Sequence, residues 1–287
     1  MWKQLTDMSV EERKADLILR LFLEPADEDY LTARWAYSNA VFQSFYWLAG
    51  QAFEKYLKAI LLFQNVPTLD YGHDLVKLLT RAIDLDVNGC LPEEMNLPET
   101  MALGHDSWHG KPPLLFAEYL RVYGSTNNRY AFNGIFVNGP VLHVLDAMCM
   151  SFRVFIRSTN FFEDDIFEVL NQEPFYNEQI PKPHQWMIGP HLLLERLYIR
   201  SFRVGQSRKL RKVFSNMNLS FFNERSDDEK SFGGQSFVGS PLRNHLVRLR
   251  EIDESKANQV AIDELREWSR ENIQMSKAVR KQLGYPD

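Results

Sequence analysis

His143, Arg153 and Arg157 lie on one apolar-patterned segment, residues 140–157, and have the types needed for metal-independent RNA cleavage. That chemistry needs a base with a pKa near neutrality to activate a 2′-hydroxyl, and a cation to stabilise the negative charge that develops on the phosphate. Ten residues of α-helix span about 15 Å, so the histidine and the arginines cannot act on one phosphate within one chain. Two alternatives stay open: a site shared across a dimer, or ion pairing and dimer packing.

A strongly basic segment, residues 196–213, contains seven cations and no acidic residue. Tyr198 and Phe202 are interleaved with these cations, so a helix here would offer phosphate contacts together with stacking surfaces. A solvated face, or a clamp on the acidic segment 163–173, is the alternative. The candidate nucleic-acid-binding residues are Arg196, Arg200, Arg203, Arg208, Lys209, Arg211 and Lys212.

His73 and Asp74 precede an apolar-periodic segment and are candidates for binding a nucleotide or another anion, because the N–H groups at a helix start attract negative charge. Helix capping is the simpler interpretation. His105 and His109 have the H-x-x-x-H spacing of a zinc pair, but neighbouring glycines and prolines disfavour a stable helix and no third ligand lies nearby. We therefore expect no metal and no cofactor.

The composition is that of a globular protein and excludes some function classes. The chain has 287 residues, 45% of them apolar and 25% charged, so extended disorder is excluded as the main state. A net charge of −5 means that any contact with nucleic acid must come from a local patch. Two cysteines, Cys90 and Cys149, cannot form a disulfide framework or a four-thiolate zinc site.

The cysteine content favours a reducing compartment, and we expect a cytoplasmic protein without a membrane-spanning segment. The first 25 residues contain many charges and lack the pattern of a signal peptide. The longest uncharged stretch, residues 35–53, contains several polar side chains, which indicates a buried helix with a polar seam.

The elements that must position these residues are predicted to be helices. Apolar residues recur at steps of three and four from Leu31 to Val66, which predicts a long helix whose aromatic stripe packs in the core. Pro67 and Gly72 end it, and Asp70 or His73 is expected to cap the next helix. Further helices are predicted over 74–85, 114–123, 140–157, 192–204 (ended by Gly205), 207–217 and 252–283. Residues 86–113 and 125–139 are predicted loops, strand-like alternation is scarce, and the fold class is mainly α.

Charge and proline content divide the chain. We expect an N-terminal helix and lead-in over residues 1–30, a helical bundle over 31–160 and an α-rich region over 161–287 that ends in the helix 252–283. The C-terminal region has segregated charge, because acidic residues precede the basic segment.

Residues 47–60, W-L-A-G-Q-A-F-E-K-Y-L-K-A-I, and residues 71–75, Y-G-H-D-L, resemble two signatures of the HEPN family. In that family, the first long helix contains W-L-A-G-Q-A-x-E-K-x-L-K-A and the next begins with His-Asp-Leu. The resemblance covers about residues 31–158 and is sharpest over 45–80. Within it, we expect Gly50 and its small neighbours to allow close helix packing, and Glu54 and Lys58 to pair on the outer face.

The resemblance implies a four- or five-helix bundle, frequently paired as a homodimer, with roles in RNA cleavage, RNA or nucleotide binding, and toxin–antitoxin, defence or stress-response systems. Catalytic members have an arginine followed by four to six residues and a histidine, and this chain has no such pair. We therefore expect an RNA- or nucleotide-binding or partner-binding protein without the usual ribonuclease site. A nucleotidyltransferase-like partner protein is a further expectation. The alternatives are a divergent endoribonuclease shared across a dimer, and a structural self-assembly protein.

Overall fold

The computed structural model describes residues 10–96, 108–128, 134–137, 141–159, 185–189, 192–198, 205–215, 218, 236–238, 256–272, 277–282 and 285. The regular structure in these ranges is almost entirely helical, which confirms the mainly α fold class. The α-helices are α1 (Val10–Ile18), α2 (Glu24–Ser38), α3 (Phe42–Phe63), α4 (Leu75–Leu85), α5 (Pro113–Tyr123), α6 (Val141–Arg157), α7 (Leu193–Tyr198), α8 (Gly205–Ser215), α9 (Lys256–Asn272) and α10 (Lys277–Gln282). A π-helical turn (Leu19–Leu23) joins α1 to α2, and short 3-10 turns cover Leu69–Tyr71 and Thr126–Asn128.

Helix α3 is the centre of the bundle, because α2, α4, α5 and α6 all pack against it. The predicted aromatic stripe is largely buried there: Phe45, Tyr46, Phe53 and Tyr56 are inaccessible to solvent. Trp47 departs from the prediction, since it is 38% exposed. Burial of these rings removes apolar area from water and so stabilises the bundle.

The single helix predicted from Leu31 to Val66 is wrong, because the chain turns between α2 and α3. Ala40 has a φ of 57°, in the left-handed region, and the N–H of Val41 donates to the carbonyl of Ala36 at 2.8 Å. Both helices keep their apolar stripes towards the core, so the sequence periodicity continues through the turn. Neither glycine nor proline marks this turn in the sequence.

Pro25 explains the wide π-helical turn. In a regular α-helix, the ring of a proline clashes with the carbonyl four residues earlier, which is that of Leu21. Here the N–H of Glu24 donates to the carbonyl of Leu19, five residues back. The wider turn accommodates the proline ring without ending the helix.

The close approach between α3 and α5 occurs at Gly124, not at Gly50. A Cβ on Gly124 would overlap the carbonyl oxygen of Tyr46, whereas a Cβ on Gly50 would meet its nearest atom at 3.8 Å, an ordinary contact. Close packing of α3 therefore does not require glycine at position 50. The required small residue is at the end of α5.

Elements beyond residue 160 pack onto the bundle. Helices α7 and α8 contact each other and α2, and Trp186, Leu194 and Phe214 belong to the same hydrophobic core as α3. The proposed domain boundary near 160 stays a prediction.

Several predicted elements differ in detail from the structure. Gly205 begins α8 where it was expected to end a helix, and two helices, α9 and α10, lie within the predicted helix 252–283. The loop predicted over 125–139 contains strand β1 (Ile135–Val137), which pairs antiparallel with β2 (Ser236–Val238). Across the described ranges, each helix is too short or too polar to cross a lipid bilayer.

Candidate nucleic-acid interface

Asp74 is the N-cap of α4, as the simpler interpretation of the His73 and Asp74 pair predicted. Its Oδ1 accepts hydrogen bonds from the N–H groups of Val76 and Lys77, each at 3.2 Å. The cap is neither Asp70 nor His73, which the sequence analysis favoured. Because Asp74 itself occupies the N–H groups of the first turn, these groups are not presented to an anion.

Glu54 connects the two signature segments. Its Oε1 lies 2.9 Å from Nδ1 of His73 and accepts a hydrogen bond from Nζ of Lys58 at 2.7 Å. The pairing of Glu54 with Lys58 is confirmed, but Glu54 is buried and does not lie on the outer face. The imidazole of His73 is exposed and is oriented by a buried carboxylate. The contact between Glu54 and His73 therefore explains why the two signatures, residues 47–60 and 71–75, occur together.

Two buried ion pairs connect α2 to α6. Nη1 of Arg153 donates to both carboxylate oxygens of Asp27, at 2.6 and 2.8 Å, and Nη1 of Arg34 donates to both oxygens of Asp146, at 2.7 Å each. Each helix contains an aspartate followed seven residues later by an arginine, so the charges have the same order along both helices. Such spacing places both pairs on one face of each helix and aligns the helices antiparallel.

Each buried arginine also contacts a segment beyond residue 160. Nε of Arg34 donates to the carbonyl of Val213 at 3.1 Å, and Nε of Arg153 donates to the carbonyl of Trp186 at 3.3 Å. Arg153 also forms an ion pair with Glu195 of α7. Through these contacts, Arg34 and Arg153 hold the segments around residues 186, 195 and 213 against α2 and α6.

The cluster around Arg153 contains two carboxylates and one guanidinium. Burial raises the pKa of Asp27 to about 7; Arg153 opposes this rise and Glu195 adds to it. Burial alone would lower the pKa of Arg153, but attraction to Asp27 and Glu195 outweighs it and raises the pKa above its usual value. The arginine therefore stays charged, and one proton can reside on the acidic side of the cluster.

The structure does not assemble His143, Arg153 and Arg157 into a reactive site. His143 is 2% exposed and Arg153 is inaccessible, with its charge opposed by two carboxylates. Arg157 is half-buried, and its Nη1 donates to the carbonyl of Gln185 at 3.4 Å. A phosphate could reach Arg153 only if the buried ion pairs separated. Ion pairing, the second interpretation of these residues, matches this geometry.

Four of the seven cations of the basic segment lie on α8, and they are largely free of local acidic residues. Arg208, Lys209 and Lys212 are exposed, Arg211 is half-buried, and the sequence of α8 contains no acid. Phe214 is 1% exposed and anchors the opposite side of the helix in the core. Arg196 is exposed on α7, while Arg200 and Arg203 lie outside the described residues.

Helix α4 shows how cations elsewhere are neutralised. It has the same length as α8, and its Lys77 and Arg81 lie 3.8 and 3.9 Å from the carboxylates of Asp74 and Asp84. Helix α8 therefore differs from α4 in charge balance, not in size. Its cations form a basic face that is suited to phosphate.

No group of three or more potential metal ligands occurs among the described residues. His109 is exposed, and His105 lies outside the described ranges.

Residues 19–101 match the family model of the HEPN domain. This segment of the chain is therefore similar to the HEPN domain. The match includes the π-helical turn and α2 to α4. It begins at residue 19 and ends at residue 101, whereas the resemblance seen in the sequence covered about residues 31–158. No curated protein and no solved structure gives a significant match.

The HEPN domain indicates a nucleotide- or RNA-related function. It contains Asp27, Arg34 and Glu54, whereas the opposing charges on α6 and the basic face of α8 lie outside the match. The HEPN segment is thus completed by later parts of the chain through its buried ion pairs. Sequence reasoning missed these pairs; their trace in the sequence is that α2 and α6 each contain an aspartate followed seven residues later by an arginine.

Proposed function

We propose that this protein binds RNA through the basic face of α8 and that it does not cleave RNA with His143, Arg153 and Arg157. The observation that supports the proposal is the row of exposed cations on a helix that has no acidic residue and is anchored by a buried phenylalanine. The HEPN domain supports an RNA-related function without specifying the ligand. A nucleotide is the smaller ligand that the same domain would allow.

Electrostatics favours a polymer of phosphates over a single phosphate. Residues 208 and 212 are one turn apart on the helix, so their side chains lie about 6 Å from each other along its axis. Cations spaced along a helix can neutralise successive phosphates and release the counterions bound there. A single nucleotide would occupy only part of this face.

The test is an RNA-retention assay with the variant Arg208→Gln, Lys209→Gln, Arg211→Gln and Lys212→Gln. The wild-type protein should retain RNA with a log–log salt slope of about −3 for four phosphate contacts to a single strand. The variant should lose retention at every salt concentration. Equal retention by the variant would remove α8 from the proposal.

The absence of cleavage is tested with labelled total RNA, with and without a chelator. We expect intact RNA after incubation with either wild type or His143→Ala. Cleavage that disappears in His143→Ala would support the divergent endoribonuclease and contradict the non-catalytic proposal.

We further propose that the protein acts in a toxin–antitoxin, defence or stress-response system, as a homodimer or with a nucleotidyltransferase-like partner. The HEPN domain supports this proposal. A mass measurement in solution tests the dimer, and co-purification with the product of a neighbouring gene tests the partner. A strict monomer that co-purifies with nothing would contradict both.

A further inference from the structure

The indole ring of Trp35 is exposed on α2, a helix that packs against α8. Trp35 lies on α2 and is 50% exposed, whereas Trp108 and Trp186 are each 4% exposed. Within the described part of the chain, its ring contacts no other aromatic ring and its Nε1 makes no hydrogen bond. The ring is therefore available to a ligand.

Two neighbours on α2 define where Trp35 lies. Arg34, the preceding residue, donates Nε to the carbonyl of Val213 in α8. Leu31, one turn earlier on the same side of the helix as Trp35, is 4% exposed. Trp35 thus directly follows a residue that contacts α8, and its own side chain is exposed to solvent.

We propose that Trp35 stacks on a base of single-stranded RNA while the cations of α8 contact its phosphates. This inference rests on the proposed function and adds the substrate class. Aromatic side chains stack on unpaired bases of any sequence, whereas the bases of a duplex already stack on each other and present only their edges. Proteins that bind single strands combine exposed aromatic rings with a basic surface that contacts the phosphates.

The experiment measures the affinity of the full chain for labelled oligouridine and for an RNA duplex of the same length. The variants are Trp35→Ala, Trp35→Phe and the matched control Trp47→Ala, whose indole is similarly exposed, on α3. The variant Arg208→Gln/Lys212→Gln reports on the basic face. Thermal unfolding of each variant verifies that it is folded.

We expect Trp35→Ala to weaken oligouridine binding at least about fivefold, the loss of one stacked base. Trp35→Phe should retain most of the affinity, Trp47→Ala should match wild type, and duplex binding should be unchanged by all three. The α8 variant should weaken binding to both RNAs.

The inference and the proposed function fail in different ways. If the α8 variant loses affinity while Trp35→Ala binds oligouridine as Trp47→Ala does, the stacking role is wrong and the basic face stands. The stacking role would also be wrong if Trp35→Ala lost the same affinity for oligouridine and for the duplex. If the wild-type protein binds neither RNA, the proposed function is wrong and the stacking role with it.

Discussion

Arginines in two regions of this protein have opposite environments. Between α2 and α6, Arg34 and Arg153 are buried, and Nη1 of each donates to both carboxylate oxygens of an aspartate. On α8, Arg208 is exposed on a helix that contains no acid. The sequence analysis placed Arg153 in a catalytic set because of its residue type, but its environment makes it part of the interior.

The role of each of these cations is decided by the groups around it. A buried charge with matched carboxylates specifies how helices pack, and it is costly to separate from them. An exposed cation without acidic neighbours contributes little to stability and much to attraction of phosphate. Substitutions in the two regions should therefore change different observables.

The largest expected effect is on the stability of the interior. Arg153→Met would leave Asp27 and Glu195 buried without their shared cation, so we expect the free energy of unfolding to fall by about 3–5 kcal/mol. Urea denaturation measures this loss. The matched substitution Arg208→Met on α8 should change stability by less than about 0.5 kcal/mol. Similar losses in both variants would erase the distinction between the two regions.

The next effect is a pH dependence that only the interior should show. Because the pKa of Asp27 is about 7 when folded and near 4 when unfolded, the folded state binds the proton more tightly. This stabilisation is complete below pH of about 4 and is lost as the pH rises through about 7.

Compared with Asp27→Asn, which cannot titrate, the wild-type protein should lose a few kcal/mol of stability between these pH values. Denaturation curves at a series of pH values measure the difference. A difference between the two proteins that does not change with pH would show that Asp27 is ionised throughout.

A smaller effect on stability is expected at Asp74, whose carboxylate is hydrogen-bonded to backbone N–H groups and not to a cation in the interior. Asp74→Ala removes the cap of α4 and should reduce stability by about 1 kcal/mol. Asp70→Ala, at the neighbouring exposed acid, is the control and should have almost no effect. If Asp70→Ala costs as much as Asp74→Ala, the assignment of the cap is incorrect.

Local signals accounted for the parts of the fold that sequence predicted well. Helix α4 has a strong apolar stripe, and proline precedes α5 and α6, so their limits were close to those observed. The turn at Ala40 was missed because the three- and four-residue spacing of apolar residues continues from α2 into α3 without a visible break. The ion pairs were missed because residues 27 and 153 are far apart in sequence, and spacing within one helix says nothing about the facing helix.

The candidate site was predicted only in part for the same reason. The cations of α8 were found from composition alone, since no acid interrupts them. Trp35 was assigned to an uncharged helix, and its relation to α8 follows from the long-range contact of the preceding residue, Arg34, with Val213. A surface formed by two segments that are distant in the chain has no local sequence signature.

The most direct test of the account compares RNA affinity after two matched double substitutions. Arg208→Gln/Lys212→Gln on α8 and Lys77→Gln/Arg81→Gln on α4 each remove two cations one turn apart from an eleven-residue helix. We expect the α8 variant to lose affinity and its log–log salt slope to become shallower by about 1–2. The α4 variant should bind like wild type, because its cations are already paired with acids. Equal losses in both variants would show that RNA senses only overall charge, and would contradict a binding face on α8.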